Sequence, residues 1–116
     1  NSVTLKLMAW KVKFFQTARG SYPVKEFIQK QERSIQTRIA QSIRLLADYG
    51  PYLKPPHIKK VQNKLYELRI RGKVSIRIFY SIFKNEYYLL HAFQKKGQKI
   101  PVRELKIALD RMKETI

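Results

Sequence analysis

The order of residue patterns predicts an α+β domain. Its expected core is a compact antiparallel sheet, an N-terminal strand plus a C-terminal three-strand meander, packed by an N-terminal helical hairpin and a C-terminal helix. Three observations carry that expectation. Alternating runs dominate residues 64–94, two stripes at helical spacing fall between residues 23 and 49, and a third stripe closes the chain.

At 116 residues the chain suits one domain spanning residues 1–116. Such a chain buries roughly two-thirds of its unfolded surface, enough for one modest core without covalent staples. Asn1–Leu7 reads as a loose lead-in, and Met8 is the expected natural start, which would make the residues before it foreign to the natural chain.

Trp10-Lys11-Val12-Lys13-Phe14-Phe15 alternates apolar and basic residues, the pattern of a first strand. Ser21-Tyr22-Pro23 predicts a helix entry, with Ser21 as cap and Pro23 in the first turn, and Val24, Phe27 and Ile28 follow at helical spacing. From Glu32 to Tyr49, Ile35, Ile39, Ile43 and Leu46 form one core-facing stripe, while Gln36, Arg38, Gln41 and Arg44 lie largely off it. Gly50-Pro51 ends this helix, and Pro55-Pro56 keeps the following loop extended.

Lys64–Arg71, Val74–Phe83 and Glu86–Gln94 read as strands joined by Gly72-Lys73 and Lys84-Asn85. In the second run Ile76, Ile78, Tyr80 and Ile82 point one way, and Ser75, Arg77, Phe79 and Ser81 the other. That predicts one face on a core and one available to a ligand. Pro101 opens the last helix, Glu104 sits in its first turn, and Leu105, Ala108, Leu109 and Met112 make its stripe.

Charge narrows the function class. Lys+Arg number 25 against 8 Asp+Glu, a net charge of +17, where solubility needs only about 2–8. So large an excess repels itself and points to a polyanionic or strongly acidic partner. There is no cysteine, which excludes disulfides and thiolate metal sites and fits a reducing, cytoplasmic setting. Two histidines give no basis for a zinc site, so neither metal nor cofactor is expected. Apolar runs fall far short of the ~20 residues of a membrane span, and nothing at the amino end reads as a secretion signal.

Three basic segments are expected to converge on the sheet. The loop before the meander carries Lys54, His57, Lys59, Lys60 and Lys64, and the first hairpin carries Arg69, Arg71, Lys73 and Arg77. The end of the last strand carries Lys95 and Lys96, with Lys99 just beyond. Beside Phe79, such cations suit a single-stranded RNA track in which aromatic faces stack bases; a solvated basic face without a ligand is the plainer alternative. Arg77 sits mid-strand in a strongly apolar segment and needs a partner. Either it pairs with Glu67 on the neighbouring strand, or its planar fork is aimed at a phosphate. Glu67 alone reads as a structural partner and His91 as a core histidine. There is no Walker loop, metal carboxylate pair or nucleophile triad.

Leu65-Tyr66-Glu67-Leu68-Arg69, Arg77-Ile78-Phe79-Tyr80, His91-Ala92-Phe93-Gln94-Lys95-Lys96 and Pro101–Ala108, in that order and spacing, resemble the HigB-like branch of the RelE/ParE toxin superfamily. The resemblance covers roughly Trp10 to Lys113. It implies a toxin of a type II toxin–antitoxin system, an endoribonuclease that cleaves mRNA in the decoding (A) site of the ribosome. It also implies a cognate antitoxin, usually with a helix-turn-helix domain, through which alone operator DNA would be contacted. Arg77 matches the family's central-strand arginine at the scissile phosphate, and Lys95 and Lys96 match its basic pair. Glu67 and Arg69 fall where relatives place polar catalytic or RNA-contacting side chains. Some relatives use a tyrosine near the carboxyl end, but no tyrosine follows Tyr88 here.

RNA carries its own nucleophile, the 2′-hydroxyl, so positioning and electrostatics can supply much of the rate without metal. Arg77 is expected to stabilise charge. A lysine crowded by other cations becomes a usable base, the role expected of Lys95, on the same strand face as His91, or of Lys96. His91 and Glu67 are rival bases. Two other functions fit: a ParE-like gyrase inhibitor, and a non-catalytic basic module that binds RNA or the ribosome.

Overall fold

The computed structural model describes residues 10–115; the lead-in and start expected at Asn1–Leu7 and Met8 lie outside them. In chain order the elements are β1 (Lys11–Phe14), α1 (Pro23–Gln29), α2 (Arg33–Tyr49), a 3-10 turn (Gly50–Tyr52), β2 (Ile58–Gln62), β3 (Leu65–Ile70), β4 (Ile76–Phe83), β5 (Glu86–Gln94) and α3 (Val102–Thr115). The fold is α+β, a five-stranded sheet ordered β1-β5-β4-β3-β2 and packed by three helices. Among the described residues no helix is long and apolar enough to cross a membrane.

The sheet departs from expectation in two ways. It is mixed rather than antiparallel, because β1 runs parallel to β5, in register from Lys11–Glu86 to Phe14–Leu89. Alternation fixes which face a residue occupies but not strand direction. The second departure is β2, whose residues were expected to be loop. It pairs antiparallel with β3 as an edge strand, broken by a bulge between Lys60 and Gln62. Its lysines suit an edge, where they discourage further strand pairing. A third, smaller difference concerns α1. Tyr22, not Ser21, precedes the helix, and the Ser21 hydroxyl instead meets that of Thr17 at 2.8 Å.

Both faces of the sheet are covered. On one, Ile35, Ile39 and Leu46 of α2 and Val24 of α1 pack on Leu68, Ile70, Ile76, Ile78 and Ala92. On the other, Ala108 with Leu105, Leu109 and Met112 of α3 covers Phe15, Leu65, Phe79, Leu90 and Phe93. Fully burying an aliphatic or aromatic side chain of this kind contributes about 1.5–3 kcal/mol. The entry to β1 is fastened to the end of α2. Trp10 N–H donates to the Ala47 carbonyl at 2.9 Å, and its ring fills the space where a Cβ on Gly50 would lie 2.3 Å from Cδ2. Gly50 also has φ +51, so both space and backbone call for glycine.

The β1–β5 seam carries an ion cluster. Glu86 meets Lys13 Nζ at 2.8 Å and Lys11 Nζ at 3.5 Å, and accepts a 2.9 Å bond from the Tyr88 hydroxyl. The Lys13 bond foremost, then the Tyr88 bond, hold its carboxyl down at about 2. Its folded value lies below the ordinary 4.5, so the stability it contributes is full above that pH and is lost as pH falls toward 2. Thermal melting of the wild type should therefore drop across this window. In Glu86→Gln the same stretch of the acid limb should flatten; an unchanged acid limb would show that the cluster is not coupled to folding.

Candidate nucleic-acid interface

The register of β3 against β4 places Arg69 directly opposite Arg77, and Glu67 opposite Phe79, all on the face that α3 partly covers. Two guanidinium groups side by side in a sheet repel. Glu67 Oε1 answers both, lying 3.1 Å from Arg69 Nε and 3.4 Å from Arg77 Nε. These are charge contacts rather than aligned hydrogen bonds, since both buried Nε atoms and Glu67 Oε2 lack a hydrogen-bond partner. Arg77 is buried, 5% exposed, and Glu67 is 2% exposed. Burial pushes the Arg77 pKa down and Glu67 opposes the shift. Arg77 Nη1 donates to the Ser75 hydroxyl at 2.8 Å. The same residue's carbonyl accepts from Lys95 N–H at 2.8 Å, which fastens the end of β5 beside Arg77. The pairing of Arg77 with Glu67 is thus present, and Arg69, 22% exposed at its side chain, is the more open of the two arginines.

Two expected site residues are placed differently. Phe79 is fully buried among Leu65, Leu90, Phe93 and Ala108, so it cannot stack a base. The face it occupies was expected to be open, but α3 lies over that half of it. His91 faces α3 because of a bulge between Phe79 and Tyr80: Phe79 pairs with His91, Tyr80 with Leu89, and Leu90 is the extra residue. His91 Nε2 lies 2.6 Å from Glu104 Oε1, and Nδ1 lies 3.3 Å from Arg111 Nη1. Burial lowers its pKa while Glu104 raises it. An arginine can only donate, so Nδ1 accepts and the ring proton sits on Nε2. Neither nitrogen is free in this arrangement to take a proton. Neither Glu104 nor Arg111 was singled out from the sequence as a partner of His91. Glu104 carried a signal, its place in the Pro-x-x-Glu motif, but that signal also describes a plain helix start.

The basic residues fall into two groups. At the Arg77 end of the sheet the fold gathers Arg69, Arg71, Lys73, Lys95 and Lys96, with His57 tied in by Arg69 N–H donating to its carbonyl at 2.8 Å. Lys59 pairs with Glu67 and so shares this face, whereas its neighbour Lys60, paired with Tyr66, takes the other. Lys64 lies elsewhere, at the opposite end of β3 in the turn from β2. Lys54 is exposed in the loop before β2, and Lys99 is exposed in the loop before α3.

Residues 26–113 match the protein family described as Phage derived protein Gp49-like (DUF891). No curated protein matches the chain.

Phe79→Ala should cost roughly 3–5 kcal/mol of stability in urea unfolding, as a core phenylalanine does; an exposed stacking residue would cost almost nothing. Glu67→Gln should be destabilising by about 3–5 kcal/mol, because it leaves two neighbouring guanidinium groups without their anion. Adding Arg77→Gln should recover part of that loss. Simple additivity of the two substitutions would show that Glu67 and Arg77 are not coupled.

Proposed function

The chain belongs to the phage-derived Gp49-like family, and from that membership we propose that it is the toxin of a toxin–antitoxin pair, a HigB-like endoribonuclease that cleaves mRNA on the ribosome. The observation that carries the proposal is the junction of Arg69, Arg77 and Lys95 at one end of the sheet, in a chain of net charge +17. Two guanidinium groups around one carboxylate leave a local positive excess. Lys95 and Lys96 stand beside it, as a phosphodiester would require. An antitoxin is the expected protein partner, and acidic or apolar segments would suit it.

In this reaction the 2′-hydroxyl oxygen attacks the adjacent phosphorus while the bond to the 5′ oxygen breaks. Lys95 is the group assigned to take the hydroxyl proton, and a proton from solvent passes to the departing 5′ oxygen. The products are a 2′,3′-cyclic phosphate and a 5′-hydroxyl. Arg69 and Arg77 offset the charge that builds on the phosphoryl oxygens. Glu67 is a positioning residue that holds the two arginines at their spacing. The engagement of both His91 nitrogens favours Lys95 as base. The depth of Arg77 favours a second reading, a non-catalytic module that binds RNA or the ribosome.

On programmed ribosomes, primer extension should reveal new 5′ ends that vanish when ribosomes are withheld. Lys95→Ala should slow single-turnover cleavage by about 10²–10⁴-fold with ribosome binding little changed. Lys96→Ala should weaken binding modestly and lower the salt slope by about one. Ribosome binding without cleavage would establish the second reading. Intact mRNA with trapped gyrase–DNA complexes would point to a ParE-like poison instead.

A further inference from the structure

Next to the Arg69–Glu67–Arg77 cluster, a cavity of about 260 Å³ opens between α2 and the end of β3. Arg38, Gln41, Ser42 and the apolar Leu45 line it from α2, Pro56 and His57 from the loop before β2, and Arg69 and Arg71 from β3 and its end. Arg38 and Arg71 meet here, Arg69 borders the cavity with its Nε turned to Glu67 on the far side of the sheet, and no acidic residue lines the wall. Arg38 is held across the hairpin by an Nη1 bond of 3.0 Å to the Arg71 carbonyl. That approach depends on Gly72, where a Cβ would stand 2.8 Å from Arg38 Nε and 3.0 Å from its Cδ. One Nη1 bond uses only part of a fork of five donors, so Arg38 keeps donors for a ligand, as does the exposed Arg71. The amide of Gln41 and the hydroxyl of Ser42 add neutral donors.

Such a constellation has a cost. Like charges drawn together at one cavity oppose folding, and here Arg38 is fixed there although a longer reach into solvent would relieve the repulsion. The planar forks of Arg38 and Arg71, set beside a cavity whose lining holds no carboxylate, match the oxygens of a phosphate. We propose that this cavity is a phosphate site, filled by a backbone phosphate of the RNA strand that crosses the Arg77 end of the sheet. Arg69 and Arg71 border both places, so one strand can run from the sheet face over the end of β3 to Arg38. The identity of the strand rests on the RNA reading above; the phosphate chemistry does not.

The test has two arms, run on the whole chain. Inorganic phosphate is titrated while NMR follows the Arg38 and Arg71 side chains and the Ser42 amide. A fully 2′-O-methylated RNA oligonucleotide, which cannot be cleaved, is titrated across a range of salt. Arg38→Gln and Arg71→Gln should each weaken oligonucleotide binding roughly five- to tenfold and lower the salt slope by about one. Both should also abolish the phosphate-induced shifts. Lys113→Gln on α3 removes the same charge elsewhere and should change affinity by less than about twofold. Arg38→Lys, which keeps charge but not the fork, should recover only part of the binding. Arg38 is exposed, so these variants should melt like the wild type, and Arg71→Gln repeats the test if Arg38→Gln does not.

Equal losses in Arg38→Gln and Lys113→Gln would overturn the site, leaving only bulk charge. So would phosphate shifts that persist without Arg38. Loss of phosphate shifts with unchanged oligonucleotide affinity would overturn the RNA assignment. If the wild type ignores the oligonucleotide yet shows Arg38-dependent phosphate shifts, the RNA reading fails and the cavity stands as a site for a free phosphate. A poly-glutamate peptide whose binding alone depends on Arg38 would overturn the proposal in favour of an acidic protein partner.

Discussion

One buried carboxylate organises the functional end of this protein. β4 is the central strand of the sheet, so Arg77 lies under neighbours on both sides and beneath the level of solvent. A charge there costs several kcal/mol unless an anion accompanies it. The antiparallel register sets Arg69 directly opposite, which doubles the need. Glu67, one residue pair away on the same face, serves both arginines through a single oxygen and leaves the other unpartnered. A site neutralised pair by pair would present no field to a ligand. Sharing one anion between two cations keeps both arginines ordered and preserves a net positive charge where the sheet opens. Order and attraction therefore come from the same arrangement.

The site is also a matter of what α3 leaves uncovered. Its apolar stripe closes over Leu65, Phe79 and Leu90, and its polar residues reach His91 at the boundary. Arg111 serves twice, donating to the Leu90 carbonyl at 2.8 Å and lying 5.7 Å over the Phe15 ring. Glu104 and Arg111 hold His91 from opposite nitrogens, so the helix is pinned in rotation as well as in depth. The part of the face beyond Phe93 then remains for Arg77, Arg69 and Lys95. A bulge makes this possible: without the extra residue at Leu90, strict alternation would turn either Leu90 or His91 away from the helix.

Much of this was legible in the residues. The helical stripes, the meander and its connections follow from periods of 3.6 and 2, and Lys84 and Asn85, at φ 51 and 64, form the two-residue turn their position suggested. The pairing of Arg77 with Glu67 was legible as one of two options. What was not legible depends on partners distant in sequence. Alternation in Lys11–Phe14 cannot say that β1 runs parallel to β5. Ile58-Lys59-Lys60-Val61-Gln62 lacks clean alternation because it is an edge strand with a bulge, so it passes for loop. Phe79 looked available because its face also carries Arg77 and Ser81, yet coverage is decided by where α3 docks. Arg38 lay off the stripe of α2 with no partner to be read from the sequence, and the close approach of Gly72 sets it against Arg71.

The charge of the chain gives these local facts a common direction. Of its eight acidic residues, five already contact cations among the described residues: Asp48, Glu67, Glu86, Glu104 (through Arg103) and Asp110. Three of those pairings, at Asp48, Glu86 and Asp110, involve lysines or arginines far from the Arg77 end. Those three acids thus leave the basic residues at that end uncompensated, and Glu67 is the carboxylate placed among them. Residues 49–66 contain no acid at all, although they include β2 and the loop that borders the Arg38 cavity. A protein relieving its own repulsion would put carboxylates there first. Leaving that stretch uncompensated concentrates the potential where Arg69, Arg71 and Arg38 meet, and such a field draws a polyanion from solution before any specific contact forms.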